Sequence, residues 1–162
     1  MGQGMPDSQF LIIDTHIERS TLHLCFNRPQ EKGVQDYIEG KAGFVDVVQE
    51  TALSNLDIIA LGSQSEGLLS PFSLPSFNQL LEEAREYYDV ILLDSAPILK
   101  SSHTRVISSR VDGIFLVAEA EKTRFEVIEE IVQQLDMQGT NLMGSFLNKR
   151  RYVIPRWIYR YI

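Results

Sequence analysis

An open, mostly parallel α/β sheet with flanking helices is the fold this sequence predicts. Three observations carry that expectation. Short apolar runs recur between turn residues, and they are continuous rather than alternating, as in parallel strands covered on both faces. Amphipathic helical patterns lie between the runs. The length of 162 residues suits one core closed without disulfides or metals.

In chain order, residues 9–14 (QFLIID) read as a buried strand ending in Asp14. Residues 34–39 and 43–50 are short helix candidates. Residues 56–61 (LDIIAL) form the next strand, stopped by Gly62, and 62–75 (GSQSEGLLSPFSLP) is the clearest loop. Residues 76–88 predict a helix with Ser76 as N-cap after Pro75. Phe77, Leu80, Leu81, Ala84 and Tyr88 share one face of it. Residues 89–94 (DVILLD) make a third strand, and 102–110 is a weak helix candidate. Residues 112–118 (DGIFLVA) give a fourth strand, and 141–147 (NLMGSFL) a fifth, weakened by Gly144. Between those two, 123–137 predicts a helix. Thr123 and Glu126 there make a capping box, and Phe125, Ile128, Val132 and Leu135 form the apolar stripe. Leu11–Ile13 and Ile91–Leu93 are expected to be the most buried stretches, on neighbouring or near-neighbouring parallel strands.

Composition narrows the function classes. Hydrophobic residues make up 44% and charged residues 23%, so a mainly disordered chain is excluded. No apolar run is long enough for a transmembrane helix, and MGQGMPDSQ is no secretory signal. A single cysteine, Cys25, excludes an intrachain disulfide framework and a multi-cysteine zinc site, and it suggests the cytoplasm. Cys25 shares a stretch with Leu22 and Phe26, so packing is expected of it. His16, His23 and His103 have no metal-ligand spacing, and no metal site is expected.

The net charge of -7 argues against nucleic-acid binding. It also hides an asymmetry. Residues 149–162 (KRRYVIPRWIYRYI) carry five cations and no acid. Without them, ten basic residues face twenty-two acidic ones, a net of -12. The chain therefore divides into a flexible N-terminus (1–8), one α/β domain (9–148) and a basic aromatic tail (149–162). In the tail, Lys149, Arg150, Arg151, Arg156, Trp157 and Arg160 are candidates for contact with an anionic membrane or a partner. Packing back onto the domain is the plainer alternative.

Two strands end in a carboxylate: LIID at Asp14, and ILLD at Asp94 followed by Ser95-Ala96-Pro97. In open α/β sheets ligands bind beyond the carboxyl ends of strands, where such an acid can hold Mg²⁺ through water. An Asp at that position also caps turns, and the residues alone leave both roles open.

The ordered segments FLIIDTHIERSTLHLCF, GVQDYIEG, LDIIALGS, FNQLLEEAREYYDVILLDSAP, VDGIFLVAEAEKT and LMGSFLNKRR resemble a family. It is the bacterial protein-tyrosine kinases of capsule and exopolysaccharide synthesis (BY-kinases), relatives of the MinD/ParA deviant-Walker ATPases. The resemblance covers about residues 9–155. It implies a P-loop NTPase-like fold, with Asp14 as the first acid of the Walker A′ strand, Arg19 as its second arginine and Asp94 as the Walker B acid. Asn148 stands where related ATPases place an Asn near the base. His16, Glu18 and Ser20 depart from the A′ pattern.

No G-x-x-x-x-G-K-[ST] motif occurs, and nine residues precede Phe10. The resemblance then implies that the first β-P-loop-α unit is missing. Little or no ATP hydrolysis is expected of the chain alone, and no cofactor, with ATP and Mg acting only where a P-loop is supplied. It implies a catalytically degenerate regulatory or partner-binding component of exopolysaccharide export. The alternative is a fragment or half-site of an active tyrosine autokinase, completed by a P-loop upstream or on another subunit. Expected partners are a membrane chain-length regulator, a P-loop-bearing paralogue, a second copy or an anionic membrane surface, at the cytoplasmic face of the inner membrane. By the same resemblance Tyr152, Tyr159 and Tyr161 are phosphoacceptor candidates.

Overall fold

In chain order, a computed structural model of the protein has β1 (Phe10–Asp14), α1 (Leu22–Cys25), α2 (Val34–Ile38), α3 (Phe44–Val47), β2 (Val48–Glu50), β3 (Leu56–Ile59), α4 (Pro75–Arg85), β4 (Val90–Asp94), α5 (Ser102–Ser108), β5 (Ile114–Glu119), α6 (Phe125–Met137) and β6 (Leu142–Asn148). The structure describes residues 8–63, 72 and 75–150. Two compact units result, one up to Ile107 and one from Ser108.

The first unit is built on a four-stranded sheet of order β2-β3-β1-β4. β1 runs parallel to both neighbours, with Ile12 opposite Ile58 on β3 and Leu92 on β4. Leu11 and Ile13 are wholly buried, as are Ile58, Ile59, Ala60 and Leu61. Each such aliphatic side chain contributes roughly 1.5–3 kcal/mol over an exposed one. α4 buries Phe77, Leu80, Leu81 and Ala84, four of the five residues of the predicted stripe; it ends at Arg85, so Tyr88 lies beyond the helix. The phenol of Tyr37 on α2 donates to Glu83 on α4 at 2.7 Å, and that of Tyr88 donates to Asp57 on β3 at 2.7 Å. Burial and the Glu83 carboxylate push the Tyr37 phenol up to about 12.

The second unit pairs β5 and β6 in parallel, with α6 connecting them. Among its described residues, Ala118, Ile131 and Leu135 are the buried apolar ones.

Several sequence expectations need correction. Ile91–Leu93 is not among the most buried stretches: Leu92 is 48% exposed. β4 is the border strand of its sheet, and its Leu92 face is left half open. Residues 43–50 are not one helix. A single turn, α3, gives way to β2, which pairs antiparallel to β3. The β-branched run Val47-Val48 favours that change. Pro75, not Ser76, opens α4, as suits a residue without an N–H, and the Ser76 hydroxyl donates to the carbonyl of Ile38. Thr123 does not cap α6, because its hydroxyl accepts the N–H of Glu119 at 3.0 Å. Arg124 takes the N-cap position without a side-chain bond. The buried stripe of α6 is Ile131 and Leu135, while Phe125 and Val132 face outward. Cys25 is exposed rather than packed.

Candidate functional site

Asp14 and Asp94 are register partners at the carboxyl ends of β1 and β4. The residue after each is a hydroxyl, and those hydroxyls tie the strand ends together. Thr15 donates its N–H and its hydroxyl to the carbonyl of Asp94, both at 2.8 Å. Its oxygen lies 2.7 Å from that of Ser95. A hydroxyl has one proton, so Ser95 is the donor in that contact. Nothing in a hydrolase or metal pattern marks Thr15 and Ser95. The signal that finds them is the repeated strand-Asp-hydroxyl ending, IIDT and LLDS.

The two carboxylates have different surroundings. Asp14 is wholly buried. Its Oδ1 accepts the N–H of His16 at 2.9 Å, and its Oδ2 accepts the Ser20 hydroxyl at 2.8 Å and the N–H of Leu22 at 3.3 Å. It thereby fixes the turn that leads from β1 into α1. The carboxylate of Asp94 has no hydrogen-bond donor among the described residues. Partial burial of that carboxyl group, then the neighbouring Asp14 charge, raise its pKa above the ordinary 3.8, against the pull of His16.

His16 caps the 3₁₀ turn Ile17–Arg19, its Nδ1 accepting the N–H of Arg19 at 3.0 Å. The Glu18 carboxylate lies 3.6 Å from the same nitrogen. The side chains of Glu18 and Arg19 are exposed, and with Ser20, Gln30, Glu31, Gly62 and Ser63 they line an open depression. Ser63, one of the lining residues, is held by a lock that the sequence reading missed. Asp36 Oδ2 accepts the N–H of Gly33 at 3.0 Å and of Ser63 at 3.1 Å. A side chain at Gly33 would run into the backbone of Ala60 and Gly62. Gly62, with φ +87°, has the left-handed conformation that glycine adopts freely.

Asp14, Arg19 and Asp94 thus share the first unit, while Asn148 belongs to the second. Asn148 is exposed, and its Oδ1 accepts the N–H of Lys149 at 2.8 Å. Lys149 and Arg150 are exposed. Tyr152, Tyr159, Tyr161, Arg151, Arg156, Trp157 and Arg160 lie outside the described residues. Among the described residues, no three His, Cys, Asp or Glu side chains gather as a metal cage. No described helix is long and apolar enough to cross a membrane. Mg²⁺ commonly takes one or two carboxylates plus phosphates and waters. Asp94 fits that role through its free oxygens, and Asp14, with both oxygens engaged, fits it poorly.

No protein-family model matches the chain. Tyrosine-protein kinase Etk of Escherichia coli K12 is 28% identical over 142 residues, which is 88% of this chain and 20% of Etk. The putative tyrosine-protein kinase CapB of Staphylococcus aureus is 27% identical over 139 residues, 86% of this chain and 61% of CapB. The chain therefore spans between about a fifth and three-fifths of these relatives. The solved kinase domain of VpsO superposes with a TM-score of 0.83 at 29% identity, covering 89% of this chain and 71% of that one. MinD of Aquifex aeolicus shares the fold at a TM-score of 0.69 and 15% identity, over 94% of this chain and 60% of its own.

Proposed function

We propose, from the premise that the chain's homologues are bacterial tyrosine kinases and its fold that of BY-kinase domains and MinD-like P-loop ATPases, that it serves exopolysaccharide or capsule synthesis as a catalytically degenerate, partner-binding component. The observation that carries this reading is the state of Asp14. The acid that the family resemblance assigns to nucleotide chemistry has both oxygens engaged by its own turn, through His16, Ser20 and Leu22. His16, where the family has a second acid, is part of the same turn. Asp14 is also wholly buried, so a metal could reach it only by opening the turn that leads into α1. The partner is a membrane chain-length regulator or a P-loop-bearing paralogue, met at the inner face of the membrane.

Calorimetry of this chain with ATP and Mg²⁺ tests the reading. Affinity weaker than about 1 mM, roughly -4 kcal/mol, is expected. Micromolar binding would overturn it.

A second reading rests on Asp94. Its carboxylate is free of donors and sits at a strand end, so it retains the means to hold Mg²⁺ through water if ATP is presented by a P-loop from elsewhere. In that case a P-loop-bearing kinase domain added to the chain should gain ATP turnover that Asp94→Asn abolishes. No gain on mixing counts against it.

A further inference from the structure

Six tyrosines occur in the chain, and Tyr37, Tyr87 and Tyr88 are the ones among the described residues. Their phenols have unlike surroundings. Tyr37 is buried on α2 and donates to Glu83 at 2.7 Å. Tyr88 is half-buried and donates to Asp57 on β3 at 2.7 Å. Burial, then the acceptor carboxylate, pushes both phenols above their ordinary pKa. A phosphate on either ring would bring a second anion against that carboxylate. It would also break a bond that ties two parts of the unit together.

Tyr87 differs on each count. It is 63% exposed, and its phenol has no hydrogen-bond partner among the described residues. It stands in the turn that joins α4 to β4, past the end of the helix at Arg85. The ring is nonetheless fixed in place. It stacks on Phe44 at the start of α3, with 5.7 Å between centroids and 18° between planes. The N–H of Tyr87 donates to the carbonyl of Ala84 at 3.1 Å. A ring held by one face keeps its hydroxyl free to react. Residues 82–89 (EEAREYYD) hold four acids and one base around it. That base, Arg85, is paired with Glu82 at 2.6 Å. Within this stretch no uncommitted cation draws a phosphate inward, so the new charge would face solvent.

We propose, resting on the reading above of a P-loop-bearing kinase as partner, that Tyr87 is a phosphoacceptor for that kinase, separate from the tyrosines of the tail. The phenol oxygen attacks the γ-phosphorus of ATP held by the kinase. An O–P bond forms, and the bond from the γ-phosphorus to the oxygen bridging it to the β-phosphate breaks. ADP leaves, and the phenolic proton passes to a base of the kinase. The added charge, about -1.5 to -2, makes Tyr87 a surface mark that a basic site on another protein can read.

The full chain is mixed with the kinase domain of Etk, ATP and Mg²⁺. Phosphate is mapped by tandem mass spectrometry, and association of the two proteins is read separately by pull-down. The expected result is association, with phosphate on Tyr87 and none on Tyr37 or Tyr88. In Tyr87→Phe the phosphate at this position should vanish. That variant keeps the ring and its stack on Phe44, so circular dichroism should be unchanged. Association without phosphate on Tyr87 would overturn the proposal and leave the kinase-partner reading standing. Phosphate on Tyr88 in Tyr87→Phe, or phosphate confined to the tail, would do the same. Absence of association would overturn both.

Discussion

Asp14 and Asp94 stand opposite one another in register across two parallel strands, and the carboxylate of the first accepts three hydrogen bonds while that of the second accepts none among the described residues. The buried acid organises the turn behind it. The pKa of the donor-free one is raised, first by burial of its carboxyl group and then by the neighbouring Asp14 charge.

Asp14→Ala should therefore act as a structural lesion. It strips acceptors from His16, Ser20 and Leu22 in a buried place. A loss of about 2–4 kcal/mol in urea unfolding is expected, since bonds to a charged group contribute about 1.5–3 kcal/mol and orphaned donors add to the cost. A loss below about 0.5 kcal/mol would release Asp14 for a metal role.

Asp94→Asn should act in the opposite direction. The folded state raises the Asp94 pKa, so ionised Asp94 is less stable folded than unfolded. Its protonated form is the one the fold favours. That benefit is complete below the unfolded value and is lost as pH rises through the folded one. The amide should thus raise the melting temperature at pH 7, with the gain vanishing as pH falls below the ordinary 3.8. Water screens an exposed residue, so the gain stays below about 1 kcal/mol. Thermal melts at pH 7 and pH 3 are the check, and an equal effect at both would refute the assignment.

Leu92→Ala and Ile13→Ala should separate border from centre. Ile13 is wholly buried and Leu92 is half exposed. Truncating Ile13 should cost about 2–5 kcal/mol and truncating Leu92 about 1 kcal/mol or less, read from the same denaturation series.

Gly33→Ala should be among the most damaging single-methyl additions in the chain. The new methyl would meet the backbone of Ala60, Leu61 and Gly62, where no flexible side chain can yield. The bonds from Val34 to Ala60 and from Gln35 to Leu61 would have to part. A loss above about 3 kcal/mol or failure to fold is expected, consistent with the upper range for overpacking.

How much of this was legible in the residues depends on what each signal measures. Continuous apolar runs mark strands that are central in their sheet, so β1 and β3 were placed and buried as expected. The same signal overrates β4, because sequence hydrophobicity does not tell a middle strand from a border one. β2 escaped because three residues are too few to show a period. Thr123 and Ser76 were plausible caps, and both hydroxyls found nearer backbone partners. At the site, the paired Asp endings identified where the strands finish together. Which of the two acids would be tied down depends on a hydroxyl six residues further on, Ser20, and no local pattern announces that contact.

The first sheet is terminated differently at its two borders. β2, three residues long and antiparallel, ends in Glu50, and such short charged borders resist addition of another strand. β4, five residues long and parallel to β1, also ends in an acid, Asp94, and within the first unit its outer backbone groups have no sheet partner. Of the two borders, the longer and parallel one offers the longer run of backbone groups to a further strand. A strand added on that side would run beside Asp94, whose carboxylate has no hydrogen-bond donor among the described residues.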